Sequence, residues 1–243
     1  MKKVFPSIII GITIIVAAIV LAGAYKYKYR QQQTIEVNGS AEINFSSNLI
    51  VWTGSYSRKA ESLEIAFSDL KTDEQKVRQF LQSKGVNMND VIFDAVNISK
   101  DYDNKYNDEG RVTGSVFTGY TLTQSIKIQS KDIKNVEKVS REITGLIQSG
   151  VAVNSDAPAY YYTKMADLKI DLLSKATADG RQRAETIAKN SGQSLGALKS
   201  ADMGVFQIIG QYSNESYSWG GAFNTDSKEK TASITVKMAF AVK

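Results

Sequence analysis

The chain opens on one texture and changes it once. Residues Val4 to Ala24 read VFPSIIIGITIIVAAIVLAGA, twenty-one positions without a charge, and no other stretch resembles them. At a rise of 1.5 Å per residue, a helix of that length spans a bilayer's hydrocarbon core. From Thr34 the pattern becomes period-two, with Ile35, Val37, Ala41, Ile43 and Phe45 alternating with polar neighbours. That alternation predicts a half-buried strand. Ser46-Ser47-Asn48 reads as a turn, and Leu49 to Ser57 as a second strand with Ile50, Trp52 and Tyr56 on one face. The spacing then lengthens. Leu63, Ala66, Phe67, Leu70, Val77, Phe80 and Leu81 form the stripe of an amphipathic helix, which Gly85 closes.

Val91 to Ser99 is predicted as a strand, Lys100 to Ser115 as a polar loop, and the stretch around Tyr120, Leu122, Ile126 and Ile128 as a further strand. A second helix carries Ile133, Val136, Val139, Ile143, Leu146 and Ile147 and ends at Gly150. Val151 to Val153 and Ala159 to Thr163 read as extended around Pro158. A long helix covers roughly 164–190, its later turns rich in small residues, and Ser191-Gly192 stops it. Strands over Val205 to Tyr212 and Thr231 to Val242 flank a Ser/Gly/aromatic loop, Ser213 to Lys230. The predicted class is α+β, with mixed or antiparallel sheets and three amphipathic helices: a ββαββ block (34–129), then an α-rich half. Residues 1–33 form an N-terminal membrane or signal segment and residues 34–243 one domain.

The leader allows two readings. Lys2 and Lys3 make a basic start, and Ala22-Gly23-Ala24 fits the small-x-small cleavage pattern of a signal peptide. The apolar run is longer than a usual signal core, and the flank Tyr25-Lys26-Tyr27-Lys28-Tyr29-Arg30 suits a retained helix at a membrane–water interface. Retention as a single-pass anchor, with the amino terminus in the cytoplasm and the domain outside, is the preferred reading. Secretion after cleavage is the alternative.

Charge changes the picture once it is located. The formal net charge is +5, from 30 basic and 25 acidic residues. Five of the cations (Lys2, Lys3, Lys26, Lys28 and Arg30) precede Glu36, the first acid, so the body of the chain is neutral. A nucleic-acid partner needs clustered cations and is not expected. Cysteine and histidine are both absent. That removes disulfides, thiolate nucleophiles, imidazole bases and thiolate or imidazole metal sites. No catalytic, cofactor-binding or metal-binding residue is assigned, and no cofactor is expected.

Several patterns invite chemistry and have plainer readings. Asp101 to Gly110 has the acid density of a calcium loop, but Lys105, Tyr106 and Val112 break the EF-hand pattern, which favours a solvated hairpin loop. Ser68-x-x-Lys71 and Ser227-x-x-Lys230 have serine–lysine spacing without the accompanying Ser-Asp-Asn. Tyr160-Tyr161-Tyr162, if extended, turns at least one ring outward. Tyr212, Tyr217, Trp219 and Phe223 crowd the glycine-rich loop, as surfaces for contact or rings folded back on the domain. Asn44, Asn97 and Asn214 begin glycosylation sequons. Arg181, Arg183 and Lys189 read as a solvated helix face.

Three marks together resemble one family. They are Ile35-Glu36-Val37-Asn38-Gly39-Ser40-Ala41-Glu42; Val77-x-x-Phe80-Leu81-x-x-x-Gly85-Val86-x-x-x-Asp90-Val91; and Ala176-x-x-Asp179-x-x-x-Arg183-Ala184-Glu185-x-Ile187-Ala188 with Gly192-x-x-Leu195-Gly196. In order and spacing they resemble the SIMPL domain family, which includes YggE-like bacterial envelope proteins. Asn38 and Ser40 depart from its glycine-rich opening, and Gly180 sits where a helix favours alanine. The resemblance implies an exported or envelope protein, linked in some members with stress tolerance and in some with large ring- or channel-like oligomers; it transfers no catalytic residue. The expected protein is a non-catalytic, membrane-held, oligomeric SIMPL-like domain. A carboxylate-based hydrolase and a small-molecule or lipid binder are the alternatives.

Overall fold

In a computed structural model of the chain, residues 4–28 and 34–243 are described, with side chains over 11–25 and 34–243. The basic start at Lys2 and Lys3 and the linker from Arg30 to Gln33 lie outside the described residues. Helix α1 runs Val4–Lys28. Among the described residues no helix is long and apolar enough to cross a membrane, so the bilayer-spanning expectation gains no support here.

The elements that follow are β1 (Thr34–Ser46), β2 (Leu49–Ala60), α2 (Leu63–Ser83), β3 (Val91–Phe93), β4 (Asn97–Tyr106) and β5 (Val112–Ser130). Then come α3 (Ile133–Glu142), continued by a 3₁₀ stretch to Ser149, β6 (Ala152–Ser155), β7 (Ala159–Tyr161), α4 (Met165–Asn190), β8 (Leu195–Met203), β9 (Gln207–Gly210) and β10 (Glu229–Val242). One sheet has the order β1-β10-β8, with β9 also on β10. The other has the order β3-β5-β2-β6, with β4 on β5 and β7 on β2. The strand pairings with residue-level registers are antiparallel, so the fold is α+β with antiparallel sheets.

The chain divides into two compact units that interleave along the sequence. The larger holds residues 41–174 and 205–234. Its core is the inner face of β2 and β5, where Ile50, Trp52, Tyr56, Leu122, Ile126 and Ile128 meet Ala66, Leu70, Val77 and Leu81 of α2 and Val136 and Val139 of α3. Period-two strands bury alternate side chains, and period-3.6 helices lay one stripe across them. Gly85 and Gly150 end their helical stretches with φ of 72° and 77°, where a Cβ would be strained.

The smaller unit holds residues 1–40, 175–204 and 235–243. The small residues of α4 serve close approach there. A Cβ on Gly39 of β1 would lie 2.7 Å from the backbone nitrogen of Gly180 in α4. Asp179 accepts the Ser40 N–H at 2.9 Å and the Arg183 side chain at 2.8 Å.

Three sequence expectations need correction. The strand expected over Val91 to Ser99 is broken into β3 and β4. The supposed polar loop from Lys100 to Ser115 is mostly ladder: β4 and β5 pair from Asn97↔Thr123 out to Tyr106↔Val112, leaving only residues 107–111 as the turn. Most side chains of this ribbon are exposed, so no alternation of apolar and polar residues marks it. Third, a strand that the spacing does not predict, β8, lies between Gly192 and Val205, its largely exposed residues paired antiparallel with β10.

Candidate functional site: an aromatic loop held from beneath

The connection from β9 to β10 is the stretch read as a Ser/Gly/aromatic loop, and the structure gives it a fixed base. Gln207, buried on β9, acts as a template for it. Its Nε2 donates to the Ser218 carbonyl at 2.7 Å, and its Oε1 accepts the N–H groups of Ser218 and Ala222 at 3.2 and 2.8 Å. The Ile208 N–H donates to the Ala222 carbonyl, and the Asn224 N–H to the Ile208 carbonyl, at 2.8 and 2.9 Å. One amide side chain and one short strand thus satisfy loop backbone that would otherwise be left to water.

Beneath this lies Lys230, only 2% exposed. Its Nζ donates to Asn224 Oδ1 at 3.2 Å and to the Ser227 carbonyl. Asn224 also donates to Glu215 and accepts the Ser227 N–H at 2.8 Å. The other oxygen of Glu215 accepts the Gly210 N–H at 3.1 Å. Burial pulls the Lys230 pKa down, partly opposed by the negative charges of Asp226 and Glu215. The Ser227-x-x-Lys230 spacing therefore ends in a backbone carbonyl, which is a structural clamp. A hollow of about 340 Å³ lies beside it, lined by Glu215, Phe223, Asn224 and Asp226 among others.

The rings face the other way. Trp219 is 101% exposed, Tyr212 is 95%, and Tyr217 and Phe223 are also exposed. Tyr212 sits at φ 60°, a left-handed conformation uncommon outside glycine. Of the two sequence readings for these aromatics, the structure adopts the outward one. The sequence could not disclose Gln207, Asn224 or Glu215 as the base, since polar residues in a loop ordinarily face water.

The remaining sequence candidates scatter. Lys71 is bonded to Glu74, and Ser68 lies exposed on the same helix. Asp101 accepts from Thr121 and pairs with Lys59, while Asn107 closes the hairpin turn through the N–H groups of Glu109 and Arg111. Tyr160, Tyr161 and Tyr162 are all half-buried, and the Tyr160 hydroxyl donates to Glu137 at 3.1 Å. Arg181 and Arg183 make intrahelical pairs with Glu185 and Asp179. Among the described residues no cluster of three or more acids could hold a metal ion.

A second polar cluster, unseen in the sequence, interrupts the stripe of α2. Asp73 has no exposure, and Arg58 and Lys76 reach its carboxylate. Glu74 takes Lys71 and Arg78, and Arg78 lies 3.9 Å from the Phe93 ring centroid. Burial opposes ionisation of Glu74, but those two cations outweigh it and hold its pKa low. Burial, aided by Glu74, pushes the Tyr56 hydroxyl up, so it stays a donor to Gln124.

A family model decides the relationship: SIMPL, described as "Protein of unknown function (DUF541)", matches residues 35–240. The chain belongs to the SIMPL family. No match is found among curated proteins. In this SIMPL chain the family match takes in both sheets and the aromatic loop.

Proposed function

We propose that this SIMPL protein is a membrane-tethered, non-catalytic interaction module of the cell envelope, whose outer domain self-associates through the aromatic loop. The reading is carried by the contrast between a fully bonded loop base and the rings of Tyr212, Tyr217 and Trp219 left in water. Large aromatics gain by leaving water, and a rigid loop loses little entropy on docking. A second copy is the occupant, because a charge-balanced body lets like copies approach without net repulsion. The ring-like assemblies implied by the family resemblance agree with this. The buried acids Asp73 and Glu74, each held by two cations, favour scaffold over acid–base work.

The tether rests on the uncharged sequence run from Val4 to Ala24 and on the apolar side chains exposed along it, not on a membrane-spanning helix in the structure. Ile12, Ile14, Ile15, Val16, Ile19, Val20 and Leu21 are each 54–69% exposed and point around the whole helix. A helix apolar on every side suits lipid. The chain then sits once through the cytoplasmic membrane with its domain outside.

Light scattering on residues 31–243 tests the assembly. A particle larger than a monomer is expected, reduced to a monomer by Trp219→Ser with Tyr217→Ser at unchanged melting temperature. A strict monomer at high concentration overturns it. Resistance of the full chain to alkaline extraction from membranes, with a carboxyl-terminal reporter active outside the cytoplasm, tests the tether.

A further inference from the structure

A cavity of about 560 Å³ in the larger unit lies away from the aromatic rings, lined by Ser47, Asn48, Lys131, Asp132, Ile133, Lys134, Thr163, Lys164 and Lys228. Four lysines and one acid line it, in a chain whose body as a whole is charge-balanced. Lys228 is 3.7 Å from Glu137; Lys131, Lys134 and Lys164 form no ion pair among the described residues. Asp132 is occupied as the amino-terminal cap of α3, its Oδ1 accepting the Asn135 N–H at 3.2 Å. Both α3, beginning at Ile133, and α4, beginning at Met165, start at this cavity. Helix starts carry unsatisfied N–H groups and partial positive charge.

The independent observation is Ser47. It is 5% exposed, its N–H donates to the Lys228 carbonyl at 2.9 Å, and its hydroxyl is buried without a hydrogen-bond partner. Its neighbour Asn48 is fully engaged, donating to the Thr163 hydroxyl at 2.9 Å and accepting the Thr163 N–H at 2.8 Å. A buried orphan hydroxyl costs free energy that a ligand acceptor would recover. Like charges gathered around one hollow repel, and an anion among them relieves that repulsion.

We infer that this cavity binds a phosphate group: lysine ammonium groups supply the charge, Ser47 donates one hydrogen bond, and the start of α4 adds to the field, that of α3 being capped by Asp132. A phosphate ester of an anionic lipid headgroup and free phosphate share that chemistry. The site is independent of the aromatic-loop reading.

The test uses the full chain in neutral detergent micelles, read by ³¹P line broadening and calorimetry. Inorganic phosphate and glycerophosphoglycerol, the soluble headgroup of an anionic phospholipid, are the two probes. Binding of at least one is expected. It should weaken about tenfold or more in Lys131→Gln/Lys134→Gln/Lys164→Gln, and about threefold in Ser47→Ala, consistent with loss of charge-assisted and neutral hydrogen bonds respectively. A control triple, Lys100→Gln/Lys105→Gln/Lys199→Gln, removes the same charge from exposed positions elsewhere and should bind as the parent does. Tighter binding of the diester assigns a lipid source, and tighter binding of inorganic phosphate assigns a free one. Failure of both probes to bind, or equal loss in the control triple, overturns the site.

Discussion

Gly39 and Gly180 meet backbone to backbone: a Cβ built on Gly180 would stand 3.1 Å from the Cα of Gly39 and would also strike the Met238 side chain. The glycine that looked out of place in a helix is what lets α4 lie against β1. Gly39→Ala is expected to destabilise the domain by about 1–3 kcal/mol, the usual penalty of overpacking against atoms that cannot move aside. Gly180→Ala should cost less, since alanine returns about 1 kcal/mol of helix propensity and the Met238 methyl can swing away. Urea unfolding reads both; a Gly39→Ala protein as stable as its parent refutes the contact.

Asp179 is tied to the same junction. The Ser40 N–H and then the Arg183 guanidinium hold its pKa below the ordinary carboxylate value. The folded state therefore binds a proton less readily than the unfolded chain. Its stabilisation is complete above the unfolded pKa and disappears as pH falls through the lower folded one. Asp179→Asn should lower the melting temperature by a few degrees at neutral pH and narrow its gap from the parent under acid. A gap constant with pH would exclude the linkage.

Arg58 and Lys76 both reach Asp73, but only Arg58 does so with two nitrogens, and it also donates to the Gly150 carbonyl at 2.7 Å. Arg58→Met leaves a fully buried carboxylate with one cation at 3.6 Å. A loss of about 2–4 kcal/mol is expected, scaled down from a wholly buried pair because Arg58 is partly solvated. Lys76→Met should cost under about 1 kcal/mol. Equal losses in denaturant titrations would contradict the asymmetry.

Lys230 gives a pH prediction of the same sign in the alkaline range. Its pKa is lowered in the fold from 10.5, chiefly by burial. The unfolded chain takes up that proton more readily, so stability rises with pH from the folded pKa towards 10.5. The parent's margin over Lys230→Met should therefore widen on going alkaline. In the same variant, Asn224 and Ser227 lose their donor, and amide exchange in residues 213–228 should quicken. A margin that shrinks with pH defeats this account.

Where one face of an element is buried, the sequence was readable. Ile50, Trp52 and Tyr56 and the stripe of α2 point where their spacing requires. The lapses share a cause. β8 and the β4–β5 ribbon are wet on nearly all sides, so burial imposes no alternation to detect. Asp73 and Glu74 fall in the gap between Leu70 and Val77, where charge ordinarily signals solvent; only their cations, brought from β2 and from a turn away on α2, permit burial. The aromatic loop was legible as residues but not as a surface, because Gln207 and Lys230 do their holding from adjoining strands.

The ribbon beyond the core has a mechanical consequence. Each rung from Tyr106↔Val112 inward adds only its own hydrogen bonds and cross-strand neighbours, such as Tyr102 with Phe117 at 5.7 Å between ring centroids. Nothing behind it must break for the next rung to part. It should open like a zip from the Asn107 turn and stop at the Asp101–Thr121 bond, where Lys59 and the sheet proper take hold. The protein thus carries a compliant finger on a stiff palm, and force or proteolysis at its tip is spent before it reaches the interior.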